Sequence, residues 1–390
     1  MSGNAIYFDH NASTPTDPRV LQKILEVTEH IYANASSTEH AAGHAASNIV
    51  ETARDLVAQT IGCRSKEIIF TGGSTESNNL AILGSFPALE KLDRTHLVTS
   101  KIEHPSVTAC FERLAARGAN VTWLGVDENG VIHLDELEEA VTEKTGLVSV
   151  MAANNETGVL QPIKEIGAIC ELNGALFHSD FSQATAYLHL DLAHSSIHMA
   201  SFSGHKAYGP KGVGALYRSM RKPRVALEPI LLGGGQENGL RPGTLNTPGI
   251  SGLGEAFKIV SERRQQDAKH TALLRDQLQE TLMQIDGVVI NGADALRLPN
   301  TLSLSISGIE PLALMHALKD ELTFSASSAC STNEVKTSHV LTAMFGDGAR
   351  AREAFRLGIG RGTDEAAIAK ASQVISIAVS NLRNGLMKGI

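Results

Sequence analysis

Short apolar segments and helix-like segments alternate along the chain from about residue 67 to residue 202. The apolar segments 67–70, 121–124 and 147–151 have the length of buried strands, and the stretches between them have helical periodicity. Strands that are separated by helices pair in parallel and are covered by helices on both faces. The sequence therefore predicts an α/β fold with a mostly parallel sheet. Segment 214–217 adds a further strand, for which an antiparallel direction is a candidate.

The pattern changes near Gly252, where a long helix is predicted over residues 250–284. Strands at 301–306 and 354–358 and helices at 311–318 and from Asp364 onward follow it. A chain of 390 residues is long enough for two cores. We predict a large domain over residues 15–255, and a smaller α+β domain formed by residues 1–14 and 256–390.

Composition excludes several classes of protein. A net charge of -8 and a pI near 6.0 argue against a nucleic-acid-binding protein. No apolar run is long enough to span a bilayer, and the N-terminal residues lack the basic and apolar regions of a signal peptide, so a cytoplasmic location is expected.

The four cysteines are too far apart for a C-x-x-C pair, so neither a metal site nor a disulfide framework is predicted. Cys110 and Cys170 fall in apolar segments, and Cys63 follows a helix, which is typical of packing residues. Cys330 differs, because it lies in a run of small residues, 325–333, that predicts an exposed loop.

Lys206 follows a predicted strand and precedes a turn rich in glycine and proline, Gly209-Pro210-Lys211-Gly212. A lysine held at a strand end and buried there loses hydration, its pKa falls, and its free amine can condense with a carbonyl group. A surface lysine in a glycine-rich turn is the competing interpretation, and the residues before Lys206 decide between the two.

Polar residues follow several of the predicted strands, at the edge where open α/β sheets bind ligands. They are His104, Asn155, Asp180 and Gln183. Each alone is more often a helix cap or loop residue, but four such residues after three strands, all of them before Lys206, are hard to explain as caps.

The loop 72–75 lies between a strand and a helix, and its backbone N–H groups and two hydroxyls can hold a phosphate. Alone it could be a plain turn, and it lacks the P-loop pattern. Pyridoxal phosphate requires a Schiff-base lysine, a carboxylate at its ring nitrogen and a phosphate cup. Lys206, Asp180 and this loop fit those roles, and Ser203 and His205 are available to complete the phosphate site.

Motifs along nearly the whole chain resemble those of the cysteine desulfurases, which are class V aminotransferase-like, fold-type I pyridoxal-phosphate enzymes. The matching motifs are Asp9-His10-Asn11-Ala12, Gly73-Ser74-Thr75-Glu76-Ser77, Asn154-Asn155-Glu156-Thr157-Gly158, Ser203-Gly204-His205-Lys206, Gly233-Gly234-Gly235-Gln236-Glu237, Arg241-Pro242-Gly243-Thr244 and Ser327-Ser328-Ala329-Cys330. The resemblance implies a large domain with a mostly parallel seven-stranded sheet, a smaller α+β domain, and pyridoxal 5'-phosphate as cofactor.

The resemblance also implies a role for each matching residue. Lys206 would bind the cofactor covalently and move the substrate α-proton, Asp180 would pair with the ring nitrogen, and Gln183 with the ring hydroxyl. His104 would stack on the ring and act in proton transfer. The phosphate would be held by Ser74, Thr75, Ser203, His205 and, from the second subunit of a homodimer, Thr244. Arg356 would bind the substrate carboxylate, supported by Asn34 and Asn155.

Cys330 would be the nucleophile that takes sulfur from L-cysteine as a persulfide and leaves L-alanine. The sulfur would pass to an acceptor protein, whether an iron–sulfur scaffold, a tRNA-thiolation relay or a DNA-sulfur-modification partner. Two other hypotheses remain open on sequence alone. One is a selenocysteine lyase or related β-lyase, and the other is a non-catalytic sulfur-relay scaffold.

Overall fold

The computed structural model describes residues 5–326 and 337–385. Within these residues the strands are β1 Ile6–Tyr7, β2 Ile68–Thr71, β3 His96–Ser100, β4 Asn120–Leu124, β5 Thr145–Ser149, β6 Leu176–Asp180, β7 Met199–Ser203, β8 Gly214–Arg218, β9 Val288–Ile290, β10 Thr301–Ile306, β11 Leu322–Thr323, β12 Ser325–Ala326 and β13 Ala354–Gly358. The α-helices are α1 Pro18–His30, α2 Ala41–Ile61, α3 Ser74–Lys91, α4 Pro105–Ala115, α5 Leu134–Ala140, α6 Ile163–Leu172, α7 Thr247–Leu282, α8 Pro311–Ala317, α9 His339–Phe345, α10 Ala349–Arg352 and α11 Glu365–Arg383.

The central sheet has seven strands in the order β2-β8-β7-β6-β5-β3-β4. Strands β7, β6, β5, β3 and β4 pair in parallel, and β8 runs antiparallel to both of its neighbours. The predicted α/β fold with a mostly parallel sheet is therefore confirmed, including the antiparallel direction of the strand near residue 214.

Helices cover both faces of this sheet. Neighbouring strand residues belong to different cores, since Val148 packs with Phe177 on one face and Leu147 packs with Leu176 on the other. Both faces being buried explains why these strands are nearly continuous apolar runs rather than alternating ones. The carboxyl ends of β3, β5, β6 and β7 consequently lie along one edge, where polar side chains can meet.

A second, four-stranded antiparallel sheet has the order β12-β13-β10-β9, and β1 pairs in parallel with β11 beside it. Helix α7 joins the two regions, because Phe257 and Val260 lie in the core of the central sheet while Leu274 and Leu278 lie in the core of the second. The predicted boundary at residues 255–256 falls inside this continuous helix, and the division into two domains stays a prediction.

A buried ion pair fixes the loop that precedes α7. Glu237, whose side chain is 2% exposed, accepts hydrogen bonds from Arg54 Nη2 at 2.7 Å and from the Phe70 backbone N–H at 2.9 Å. Arg54 also contacts Glu51 at 3.2 Å, but the Glu51 side chain is 60% exposed.

We expect Glu237→Ala to lower the free energy of unfolding by about 3–5 kcal/mol, because Arg54 then stays buried without its partner. The matched variant Glu51→Ala removes a solvent-exposed partner of the same arginine and should cost less than about 1 kcal/mol. Urea denaturation of both variants measures the difference. Equal losses would contradict a stabilising role for the buried pair.

Across the two described ranges, 5–326 and 337–385, no helix combines the length and the apolar character needed to cross a membrane.

Candidate active site

Lys206 lies at the carboxyl edge of the central sheet. Strand β7 ends at Ser203, and one 3-10 turn, Gly204–Lys206, carries the lysine side chain into a cavity at that edge. Burial lowers the pKa of Lys206 below that of a free lysine, the negative charge of Asp180 opposes this shift, and the positive charge of Arg356 adds to it. The amine is therefore easier to deprotonate than a surface lysine.

Asp180 is the last residue of the neighbouring strand β6 and lines the same cavity. Its Oδ1 accepts the backbone N–H of Ser182 at 2.8 Å, and its Oδ2 accepts Asn78 Nδ2 at 2.7 Å. Burial acts to raise the pKa of Asp180, but these hydrogen bonds and the charge of Lys206 outweigh it, so the pKa lies below its ordinary value. The site therefore holds a buried carboxylate in its ionised form.

The start of α3 forms an anion cup next to this cavity. Gly73 has a φ of 147°, which favours glycine, and no side chain caps the helix, which begins at Ser74. The first N–H groups of a helix lack partners within it and attract anions. The surrounding cavity, about 570 Å³, is lined by Gly72, Gly73, Ser74, Thr75, Glu76, Asn79, Ser203, His205, Lys211, Gly212, Ile230 and Leu231.

The cup and the lysine cavity adjoin, since Ser74 lines both. His205 belongs to the cup, and burial together with the charges of Lys206 and Lys211 lowers the pKa of its ring to about 4. A neutral His205 can donate a hydrogen bond to an anion from whichever ring nitrogen carries its proton. Its Nδ1 lies 3.2 Å from Ser13 Oγ.

His104 caps the first turn of α4 and lines the lysine cavity. Its Nδ1 accepts the Ser106 backbone N–H at 3.1 Å and lies 2.8 Å from Ser106 Oγ. Burial lowers the pKa of His104, and the positive charge of Lys206 adds to this effect against the opposing charge of Asp180.

Gln183 and Asn155 line the lysine cavity as well. Both ends of the Gln183 amide contact Asn11: its Nε2 donates to the Asn11 carbonyl at 3.0 Å, and its Oε1 accepts Asn11 Nδ2 at 3.3 Å. Asn155 uses its backbone oxygen to accept Arg356 Nη1 at 2.6 Å. These contacts fix the side chain of Gln183 and attach Asn155 to the second sheet.

Arg356 comes from β13 of the second sheet and is only 7% exposed. Besides Asn155, its guanidinium contacts Asp9 Oδ1 at 2.7 Å and Ser325 Oγ at 3.2 Å, both through Nη2. Its Nε is buried and has no hydrogen-bond partner among the described residues. The cation is thus oriented by three neighbours while one donor remains available.

Besides Arg356, which meets the lysine cavity through its contact with Asn155, two predicted residues line neither this cavity nor the cup in the single chain. Thr244 is exposed on the loop before α7, and Asn34 is exposed on the loop between α1 and α2, where its Oδ1 accepts the Ser36 N–H at 2.9 Å. Cys330 and the rest of its motif lie outside the described residues. The roles of all three stay predictions.

The structure adds residues that the sequence analysis did not single out. Asn78 contacts Asp180, Ser106 contacts His104, and Asp9 contacts Arg356. A signal for Asn78 exists in the sequence, because it follows Ser74 by four residues and so lies on the same face of α3. Asp9 belongs to one of the motifs that resemble the cysteine desulfurases, but the resemblance assigns it no role.

Comparison with known proteins agrees with this geometry. The sequence matches the family described as "Aminotransferase class-V" over residues 6–368. A mitochondrial cysteine desulfurase of Saccharomyces cerevisiae is 43% identical over 378 residues, covering 97% of this chain and 76% of that protein. Cysteine desulfurase IscS of Rickettsia bellii is 43% identical over 380 residues, covering 97% and 92%.

A solved structure described as a NifS-like protein superposes with a TM-score of 0.90 at 36% identity, covering 97% of this chain and 100% of that one. The chain therefore belongs to the class-V aminotransferase family. Within that family it is an enzyme of the cysteine desulfurase type.

Proposed function

We propose that this chain uses pyridoxal 5'-phosphate to take sulfur from L-cysteine, stores it as a persulfide on Cys330, and passes it to an acceptor protein such as an iron–sulfur scaffold. One observation carries the proposal: the ionised Asp180 ends β6, Lys206 follows the adjacent strand β7 by one 3-10 turn, and the two share a cavity that adjoins the uncapped start of α3. The names of the relatives support L-cysteine as the substrate.

The donor set fits pyridoxal phosphate. Ser74, Thr75, Ser203 and His205 line a cup that offers hydroxyl, imidazole and helix N–H groups to a phosphate. Asp180 is the carboxylate that would keep a pyridine nitrogen protonated, and the buried hydroxyl of Ser182 beside it has no partner among the described residues. When bound, the cofactor would supply an electron sink next to the substrate Cα.

Lys206 is the base in this proposal. Because its pKa is lowered, the Lys206 amine loses its proton more easily, and a neutral Nζ can accept the substrate α-proton. The charge of Asp180 opposes that lowering, so the same carboxylate keeps the amine basic enough to hold the proton it has taken.

Arg356 is the substrate anchor in this proposal. A guanidinium suits a carboxylate because it keeps its charge and holds several N–H donors in one plane. In Arg356 the Nε–H is the donor without a partner among the described residues. Its contacts to Asp9 and Asn155 restrict its rotation, which lowers the entropy lost on binding.

We expect Arg356→Lys to raise the KM for L-cysteine by roughly tenfold or more, because a lysine loses the fork and cannot reach Asn155 and Asp9 together. Arg352→Lys is the matched control, since Arg352 is 59% exposed and its nearest carboxylate lies at 3.8 Å. Steady-state kinetics of alanine formation measure both. An unchanged KM in Arg356→Lys would remove Arg356 from the substrate site.

Sulfur transfer to Cys330 balances without an added oxidant. The Cys330 thiolate attacks the substrate sulfur, an S–S bond forms and the C–S bond breaks. The electron pair of the C–S bond stays with the carbon, which takes up a proton and leaves as alanine. The products are therefore one persulfide and one alanine for each cysteine consumed.

The proposed homodimer places Thr244 at the phosphate of the partner. In support, Thr244 is exposed, and the apolar side chains of Leu231 and Leu232 next to the cup are 48% and 88% exposed, which is typical of a surface that a partner covers. Heterodimers that pair one Lys206→Ala chain with one Thr244→Ala chain test it. If Thr244 acts on the partner, the site that contains Lys206 receives an intact Thr244 from the other chain, and activity is recovered. If Thr244 acts within its own chain, neither site has both residues, and no activity is recovered.

The direct test of the function is incubation of the cofactor-loaded protein with L-cysteine and a thiol reductant. Alanine and sulfide should form in equal amounts. The Cys330→Ala variant should keep its cofactor bound but form both products more slowly than the wild-type protein. A Cys330→Ala variant with full sulfide production would refute the nucleophile assignment.

A further inference from the structure

A chain of buried hydrogen bonds connects Asp180 to His104. Asn78 Nδ2 donates to Asp180 Oδ2 at 2.7 Å and to Ser106 Oγ at 2.9 Å. Ser106 Oγ lies 2.8 Å from His104 Nδ1. Asn78 is fully buried, and Ser106 and Asp180 are 9% and 7% exposed.

The direction of the first two bonds follows from the carboxylate. An ionised Asp180 can only accept, so the amide of Asn78 must turn its nitrogen toward it. The reverse orientation would place Asn78 Oδ1 against the carboxylate oxygen. An amide nitrogen carries two hydrogens, and Asp180 and Ser106 take one each. Asn78 therefore donates to Ser106 as a consequence of the charge on Asp180.

The direction of the last bond follows in turn. Ser106 Oγ accepts from Asn78 and has one hydrogen of its own, for which His104 Nδ1 is the acceptor at 2.8 Å. Nδ1 also receives the backbone N–H of Ser106 at 3.1 Å, and a backbone N–H can only donate. A neutral ring in this position carries its proton on Nε2. Nε2 is the ring nitrogen that remains for a ligand in the cavity.

We propose that Asn78 and Ser106 are positioning residues that hold His104 as the Nε2–H tautomer, so that His104 donates a hydrogen bond into the cavity and does not remove a proton there. The catalytic meaning of this assignment rests on the proposed function, whereas the tautomer itself does not. Burial and Lys206 lower the pKa of His104, in keeping with a neutral ring. A neutral Nε2–H suits an anionic group of the substrate, and proton removal then falls to Lys206 alone.

The tautomer is tested by two-bond ¹H–¹⁵N correlation spectra of the cofactor-loaded protein labelled with [¹⁵N]histidine. The His104 signals are assigned by their loss in His104→Gln. At neutral pH we expect a proton on Nε2 and none on Nδ1. A proton on Nδ1, in the other tautomer or in an imidazolium, would overturn the inference. This readout needs no turnover, so it decides the inference even if L-cysteine proves not to be the substrate.

The positioning role is tested by a mutant cycle on alanine formation. Ser106→Ala should lower kcat by about tenfold and keep KM within about twofold of wild type. A tenfold loss in kcat is the effect expected when one hydrogen bond to a group that acts in the reaction is removed. In the His104→Gln background the same substitution should have no further effect, because its target is gone. An equal loss in both backgrounds would mean that Ser106 only supports the fold, and would overturn the role.

Ser85→Ala is the matched control. Ser85 is fully buried and Ser106 nearly so, but the Ser85 hydroxyl donates to the Ile82 carbonyl of its own helix, at 3.2 Å. It should leave kcat unchanged in both backgrounds. Asn78→Ala should keep part of its effect in the His104→Gln background, since Asn78 also holds Asp180. A complete loss of its effect there would contradict the contact with Asp180.

Discussion

Lys206→Ala is expected to lower alanine formation from L-cysteine by about 10⁴-fold or more, because in the proposed function this one side chain both binds the cofactor and moves the substrate proton. Borohydride reduction gives a second measurement. The wild-type protein should retain the cofactor mass on Lys206 after reduction and denaturation, and the variant should release it.

Lys91→Ala is the matched control, since the Lys91 side chain is 75% exposed and pairs with the surface residue Glu228 at 3.3 Å. It should leave both measurements unchanged. Activity of Lys206→Ala within tenfold of wild type would mean that a different amine serves the reaction.

Asp180→Asn is expected to lower kcat by about 10²–10³-fold, as when a preorganised charge is removed from a reaction centre. Asparagine keeps the size of the side chain but loses the charge that would hold a proton on the ring nitrogen. The substitution also places an amide opposite Asn78, so the hydrogen bonds toward Ser106 lose the carboxylate that orients them.

Steady-state kinetics and cofactor absorbance together test this expectation. Asp191→Asn is the matched control, because the Asp191 side chain is 51% exposed and contacts His194 instead of the cavity. A kcat of Asp180→Asn within threefold of wild type, with cofactor bound, would contradict the role given to Asp180.

The sheet could be predicted because each buried parallel strand is an apolar run followed by a helix. Strands 301–306 and 354–358 have the bounds that were predicted for them. The bounds of the central strands moved by one or two residues, as for β2, which was predicted at 67–70 and continues through Thr71. A polar residue at a strand end looks like a loop in the sequence even when it is the last paired position of the strand.

The residues that line the lysine cavity and the cup could be predicted because motifs and strand ends carry them. The residues that orient those side chains could not, because their partners are far away in the chain. Asn78 and Asp180 are 102 positions apart, and Asp9 and Arg356 are 347 apart. Sequence periodicity reports which face a residue occupies but not what lies across the space between two elements. Thr244 and Asn34 belong to the same problem, since their predicted partners are not reached within one chain.

In the proposed reaction, sulfur leaves L-cysteine and is held by Cys330. Mass spectrometry of the protein after brief exposure to L-cysteine, without reductant, tests it most directly. The peptide that contains Cys330 should gain the mass of one sulfur atom, with one alanine released for each modified chain, and Lys206→Ala should show neither. Alanine without added sulfur on Cys330, or added sulfur on Cys63 in its place, would contradict the account.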